Sequence, residues 1–410
     1  MTASDLRINL DRLLGRIEAL AAIGAIEGDG VCRMALSDED RQGRDLVVGW
    51  MRYLGLDVSI DRIGNVIGIR AGAEPGNPVM TGSHIDTVAT GGRYDGNLGV
   101  LAGLEVIETL NDAGFTTCRP LGVGFFTNEE GARFAPDMMG SAVHQGAEDV
   151  DDMLRVVGVD GRTVGEELSK IGYAGEVPTG EFRAHCFVEL HVEQGPILEI
   201  EAFEIGAVEG VQGISWNEYR LSGTSNHAGT TPMRLRHDAG YVAAAISVEA
   251  RRIANDMGEN QIGTVGVTEL NPGLINVIAK EALVTVDMRN TDEQKLQQAE
   301  RLMREFIART SEAEGVTVES RTLARFEPVA FDQDMVSLVF STAQSLGYKV
   351  KMMPSGAGHD AQMFAPNCPT SMIFVPSRGG ISHNVAEHTE PEHIRAGADV
   401  LLQVLLQKTE

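Results

Sequence analysis

What most constrains this chain is an alternation of short apolar runs, each ending at a polar cluster, with long stretches carrying apolar residues at helical spacing. Val79-Met80 leads into Thr81-Gly82-Ser83-His84-Ile85-Asp86, and Leu121 to Phe126 into Asn128-Glu129-Glu130-Gly131. Phe187 to Leu190 leads to His191, and Ser371 to Val375 precedes the loop to His383. Between the first two runs, Leu98 to Leu110 repeats apolar residues with the period of an amphipathic helix. This order predicts an α/β fold: a mixed, largely parallel sheet flanked by helices. Ligands of such sheets gather beyond the carboxyl ends of the strands. Each polar cluster stands at such an end.

The middle of the chain reads differently. Ile214 to Leu221 is a candidate strand, followed by the polar loop Ser222 to Thr231. Asp238 opens a helix to about Met257, with Gly258 as its stop. Thr264 to Leu270 and Ala282 to Arg289 read as strands around the turn Asn271-Pro272-Gly273. Thr291 starts a second helix ending near Gly315, and Val316 to Arg321 is a closing strand. This β-α-β-β-α-β order predicts an inserted ferredoxin-like α+β domain. The expected division is 1–212 and 328–410 for the site-bearing domain and 213–327 for the insertion. A chain of 410 residues exceeds what one core usually serves, about 250–300 residues.

Charge and cysteine usage narrow the partners. Lys and Arg number 34 against 59 Asp and Glu, a formal charge of −25. That field repels phosphate backbones, so no nucleic-acid partner is expected. Cys32, Cys118, Cys186 and Cys368 are far apart, which predicts reduced thiols and a cytoplasmic location. Asp5 and Asp11 interrupt Leu6, Leu10, Leu13, Leu14 and Ile17, a pattern of an amphipathic helix rather than a signal peptide. No stretch reaches the roughly 18 apolar residues of a membrane span, so no membrane partner is expected.

Imidazoles and carboxylates at successive strand ends are the donor set of a divalent-metal site. A pair of ions needs one bridging carboxylate plus separate ligands for each. Asp95, in Gly91-Gly92-Arg93-Tyr94-Asp95-Gly96, is the natural bridge, because glycine lets two cations approach. His84 and His191 would complete one position, and Glu130 and His383 the other. Asp86 is expected to accept the spare ring proton of His84. Glu129, beside a ligand but pointing elsewhere, is the candidate catalytic base.

These segments, with Glu189-Leu190-His191-Val192-Glu193-Gln194-Gly195-Pro196, Ser355-Gly356-Ala357-Gly358-His359-Asp360-Ala361 and Gly380-Ile381-Ser382-His383-Asn384, carry a resemblance over nearly the whole chain. It resembles the M20 metallopeptidase family in its amidohydrolase branch of N-carbamoyl-L-amino acid hydrolases, β-ureidopropionases and allantoate amidohydrolases. In the wider family the bridging Asp usually lies farther from His-x-Asp, and an acidic ligand replaces the histidine found here at 191. The resemblance implies a homodimer formed through the inserted domain, which also acts as a lid. It implies two divalent ions per subunit, Zn²⁺ or Mn²⁺, with Co²⁺ or Ni²⁺ as alternatives. It further implies that His227 stabilises an oxyanion, that Asn276 and Arg289 hold a substrate carboxylate, and that Gln194 contacts a ureido group.

Each implied role has an ordinary alternative. Arg289 can form an ion pair with Asp287, His227 can cap its loop, and Gln194 and Asn276 can satisfy turn backbones. His359-Asp360 is either a support behind the ligands or part of a substrate wall. Arg234, Arg236 and His237 lead into a helix and read as structural. The expected reaction is hydrolysis of the carbamoyl C–N bond of N-carbamoyl-L-amino acids to amino acid, CO₂ and ammonia. Allantoate, β-ureido acids, and N-acyl or peptide amides are the alternative substrates. A non-catalytic metal-binding protein is the alternative of another class.

Overall fold

A computed structural model describes residues 3–258 and 260–410. It divides into two compact units: residues 1–210 with 331–410, and residues 211–330. In the first unit the central strands Thr370–Val375, Cys186–Val192, Val79–His84 and Leu121–Phe126 run parallel, in that order. Val66–Arg70 and Asp57–Ile60 extend one side antiparallel, and Ile205–Val211 flanks the other. Every residue of the four central strands is buried. Strands covered on both faces need apolar side chains on both, hence continuous runs rather than alternation.

Because these strands are parallel, their carboxyl ends share one side of the sheet. His84 is the last residue of its strand and lies in register with Phe126, three residues before Glu129. His191 lies in register with Phe374, near the end of the strand that precedes His383. Topology alone therefore brings four distant chain segments to one edge.

The helix Asn97–Asp112 is longer than expected and not amphipathic: every residue from Asn97 to Ile107 is buried. It packs on the sheet and against the helices Leu10–Ala21 and Pro391–Lys408. Its one acidic core position, Glu105, accepts from Arg12 at 2.7 Å and Arg16 at 3.1 Å. The Leu10–Ala21 helix does present one buried face, Leu13, Ile17 and Leu20, and the Asn9 side chain caps it by accepting from Arg12 N.

The second unit is antiparallel throughout. Its strands lie in the order Ile262–Thr264, Glu281–Asn290, Gly213–Ser222, Thr317–Phe326. The helices Ala239–Met257 and Glu293–Glu314 cover one face, sharing a core of Val242, Ile246, Ile253, Val284, Leu296 and Met303. This is the ferredoxin-like arrangement. Asp238 and Asp292 cap the helices, and Gly315 ends the second in a left-handed conformation (φ 69°). The strand expected at Thr264 to Leu270 is broken into Ile262–Thr264 and Thr268–Asn271, both paired with Glu281–Asn290. Between them the Thr285 hydroxyl accepts from Val267 N, replacing a ladder bond. No helix among the described residues is long and apolar enough to cross a membrane. All four cysteines are free.

Candidate active site

Three histidines and two carboxylates converge at the carboxyl edge of the first unit's sheet. Asp95 is their centre, and its two oxygens face different groups. Oδ1 lies 3.1 Å from His191 Nε2 and 3.6 Å from His84 Nε2. Oδ2 lies 3.5 Å from His383 Nε2, which is 3.2 Å from Glu130 Oε2. Donors about 2.0–2.1 Å from a tetrahedral ion stand about 3.3 Å apart. Two donor clusters, His84/Asp95/His191 and Asp95/Glu130/His383, thus have the spacing a bound ion imposes.

The ring orientations fit the same use. His84 Nδ1 meets the Asp86 main-chain carbonyl at 2.9 Å, and His191 Nδ1 meets that of Val192 at 2.9 Å. Each carbonyl takes the Nδ1 proton and leaves the Nε2 lone pair facing Asp95. The expectation that the Asp86 carboxylate would accept the His84 proton is therefore corrected. That carboxylate turns instead to the next strand's exit, where Oδ1 and Oδ2 accept from Glu129 N and Glu130 N, both at 3.3 Å. A strand-end residue two positions on presents its carbonyl, not its side chain, to the ring. Asp86 thereby holds the Glu129-Glu130 segment, and burial pushes its own carboxyl up to about 6.

The site's field favours cations. Burial alone would lower His84, but the surrounding carboxylates, Glu129 foremost, raise it well above its ordinary value. His191 is raised by Asp95 against the same burial. Burial would raise Asp95, yet hydrogen bonds and charge from His191 and His84 hold it well below the usual carboxylate range. His383 is raised to about 9, chiefly by its hydrogen bond to Glu130. Glu129 Oε2 stands 3.3 Å from His84 Nε2. Burial, with Asp360, Glu130 and Asp95 adding, pushes the Glu129 carboxyl well above its ordinary value. The donor set, its spacing and its field all fit divalent metal.

Gln194 joins this group. Its Nε2 donates to Asp95 Oδ2 at 2.8 Å and lies 3.4 Å from His383 Nε2. Gln194, His383 and Asn128 adopt left-handed backbone (φ 57°, 52° and 57°), which for Gln194 is uncommon. His359 packs edge-on against His191, ring centroids 4.5 Å apart, with Nε2 2.9 Å from Ser355 Oγ. Burial holds His359 well below its ordinary value and pushes Asp360 up to about 8. His359 thus backs the His191 ring from behind.

Three residues with no role assigned from sequence bind the ligand segments together. Glu189 accepts from Ser83 Oγ at 2.6 Å and from Ala361 N at 2.8 Å, next to His84 and Asp360 respectively. The buried Arg33 donates to Ile85 O and Asn97 Oδ1, flanking His84 and Asp95. Glu387 accepts from the main chain of Asp95 itself. Glu189 was within reach of sequence reading, since it lies two residues before His191 on one strand face. The other two carry no local signal.

The remaining expected site residues belong to the second unit. His227 and Asn276 are neighbours there: Ala228 N donates to Asn276 O at 2.9 Å, and His227 bridges Val277. Both side chains are exposed. Arg289 contacts Asp287 at 3.0 Å and lies over the Trp216 ring at 5.7 Å. Arg236 donates to Ala228 O and Thr231 O, bracing the His227 loop, and His237 Nδ1 meets Glu314 O. Arg234 lies in the short Met233–Leu235 turn.

Similarity to known proteins extends over most of the chain. The model of peptidase family M20/M25/M40 matches residues 80–407. An N-carbamoyl-L-amino-acid amidohydrolase of Rhizobium meliloti is 39% identical over 98% of this chain and 97% of its own. A ureidoglycolate hydrolase of Oryza sativa is 33% identical, covering 97% of this chain and 84% of its own. The crystal structure of a hydantoinase/carbamoylase family amidase from Burkholderia multivorans superposes with a TM-score of 0.97 at 44% identity, covering 98% of both chains. With candidate metal-binding clusters present and the family match spanning most of its length, the chain belongs to peptidase family M20/M25/M40, a family of metal-dependent hydrolases, in its amidohydrolase branch.

Proposed function

We propose that this protein hydrolyses the carbamoyl C–N bond of N-carbamoyl-L-amino acids, releasing amino acid, CO₂ and ammonia. The observation that carries the reading is the division of the Asp95 oxygens between the His84/His191 pair and the Glu130/His383 pair. The names of the related enzymes support the substrate class. We assign His84, Asp95 and His191 to one divalent ion and Asp95, Glu130 and His383 to a second, Zn²⁺ or Mn²⁺, with Co²⁺ or Ni²⁺ as alternatives. Such ions polarise a carbonyl and make water acidic near neutral pH.

The chain's own groups do the rest. Glu129, buried and raised, takes a proton from the attacking water and returns it to the leaving amino nitrogen as the C–N bond breaks. The carbamate left behind then falls apart to CO₂ and ammonia. Asp86 fixes the Glu129 main chain during this transfer. Gln194 is proposed to turn its amide to the ureido group, His227 to donate to the developing oxyanion, and Asn276 and Arg289 to bind the carboxylate. An Arg fork suits a carboxylate, and a donor at the oxyanion lowers the barrier. The reading includes a cytoplasmic homodimer formed through the second unit.

The ureidoglycolate hydrolase relatives favour one second reading, a ureido acid other than a carbamoyl α-amino acid. The test is ammonia release from a panel of N-carbamoyl-L-amino acids, allantoate, ureidoglycolate and a β-ureido acid, with Mn²⁺, Co²⁺ or Zn²⁺ supplied. Turnover confined to the carbamoyl α-amino acids is expected. Turnover confined to another member of the panel would replace the substrate class.

A further inference from the structure

The side chain of Glu387 is buried four residues beyond His383. Its Oε1 accepts from the main-chain N–H of both Tyr94 (3.0 Å) and Asp95 (3.1 Å). Its Oε2 is buried and without a hydrogen-bond partner among the described atoms. On its own side, Glu387 N donates to Asn384 O at 3.0 Å and Ala386 N to Asn384 Oδ1 at 2.9 Å, closing a tight turn directly after His383. Ser382 Oγ reaches Asp95 Oδ2 at 3.0 Å, and the Tyr94 and His388 rings meet edge-on at 5.8 Å.

Gly92 makes this approach possible. A Cβ there would lie 2.3 Å from Glu387 Oε1 and 2.4 Å from its Cδ. Gly92 has no left-handed φ, so a side chain there is opposed by crowding, the nearest atoms all belonging to the Glu387 side chain. A buried carboxylate is costly unless hydrogen bonds repay it. Here it joins the loop of the shared aspartate to the turn of the most exposed ligand, across almost three hundred residues.

We propose that Glu387 is a positioning residue: it locks the Asp95 loop to the His383 turn and so sets the second ion position, that of Asp95, Glu130 and His383. This rests on the ligand assignment under Proposed function. His383 stands on a left-handed turn (φ 52°) with half of its side chain exposed, so the position of that turn sets where its ring can reach. His84 and His191 are buried and oriented by their own carbonyl contacts, so the first position depends less on Glu387.

The experiment titrates metal-free protein with Zn²⁺ in competition with a chromophoric chelator, for wild type, Glu387→Ala, Glu387→Gln and Gly92→Ala. Wild type takes two equivalents. Glu387→Ala keeps the first and binds the second about 10–100-fold more weakly, the usual loss when a group behind a ligand is removed. Glu387→Gln, whose amide oxygen can accept the same two N–H groups, stays within about threefold of wild type. Gly92→Ala reproduces the Glu387→Ala defect with the carboxylate intact in sequence, and carries the test if Glu387→Ala does not fold. Equal loss at both positions, or a lower Tm with unchanged metal affinity, overturns the proposal. A wild type that takes fewer than two equivalents overturns the ligand assignment itself.

Discussion

Replacing Gly96 by alanine tests the site at its tightest point. Gly96 follows Asp95 at φ 65°, ψ −49°, a conformation that costs a residue with a side chain on the order of 1–3 kcal/mol. A Cβ at this position would lie 2.4 Å from both Cε1 and Nε2 of His84 and 2.5 Å from Cδ2. Ordinary carbon contacts begin near 3.5 Å, so the ring must retreat by about 1 Å. Metal–nitrogen bonds tolerate about 0.2 Å. The displaced nitrogen is thus lost as a ligand, not merely weakened. Gly96→Ala is expected to keep its circular dichroism, lose a few degrees of Tm and lose tight binding at the His84/His191 position. Its kcat should fall at least 100-fold, since a misplacement of about 1 Å already costs that much. Unchanged metal affinity and turnover in a folded Gly96→Ala protein would refute the placement of His84 against Gly96.

Glu129→Gln should lower kcat by about 10²–10⁴ while both equivalents of Zn²⁺ still bind, because Glu129 is outside both donor clusters. Comparable kcat in the variant would remove it as the base. Arg133 holds both Asp160 and Glu167 at 2.7 Å, and each carboxyl is kept below its ordinary value, Asp160 chiefly by the hydrogen bond and Glu167 by Arg133 overcoming burial. Folded values below the unfolded ones contribute stability above about pH 4.5 that is lost as the pH falls further. Arg133→Met should therefore cost about 1–3 kcal/mol at pH 7, with part of that difference disappearing by about pH 3 in urea unfolding. A difference that grows on acidification would contradict that sign.

The four central strands were legible from their apolar runs, because a parallel sheet buried on both faces has no polar face to disguise them. The helix cap at Asp238 was equally legible, since capping is local chemistry, whereas the second helix, expected from Thr291, is capped one residue later by Asp292. The seclusion of Asn97 to Ile107 was not, because burial all round is decided by which helices pack on top. The five donors could be proposed from residue type and position at strand ends. How each is held could not. The Asp86 carbonyl rather than its carboxylate serves His84, a choice made by the geometry of a strand end. Gln194 reaches Asp95 through a left-handed backbone that nothing in its neighbours announces. Arg33 and Glu387 act across 64 and 292 residues, respectively, where no spacing rule applies.

The central claim is that Asp95 is shared between two ions. Anomalous-scattering maps from crystals loaded with Zn²⁺ measure it most directly. Two peaks are predicted, one within bonding distance of Asp95 Oδ1, His84 and His191, the other of Asp95 Oδ2, Glu130 and His383. A map in which Asp95 touches one ion or none would contradict the account.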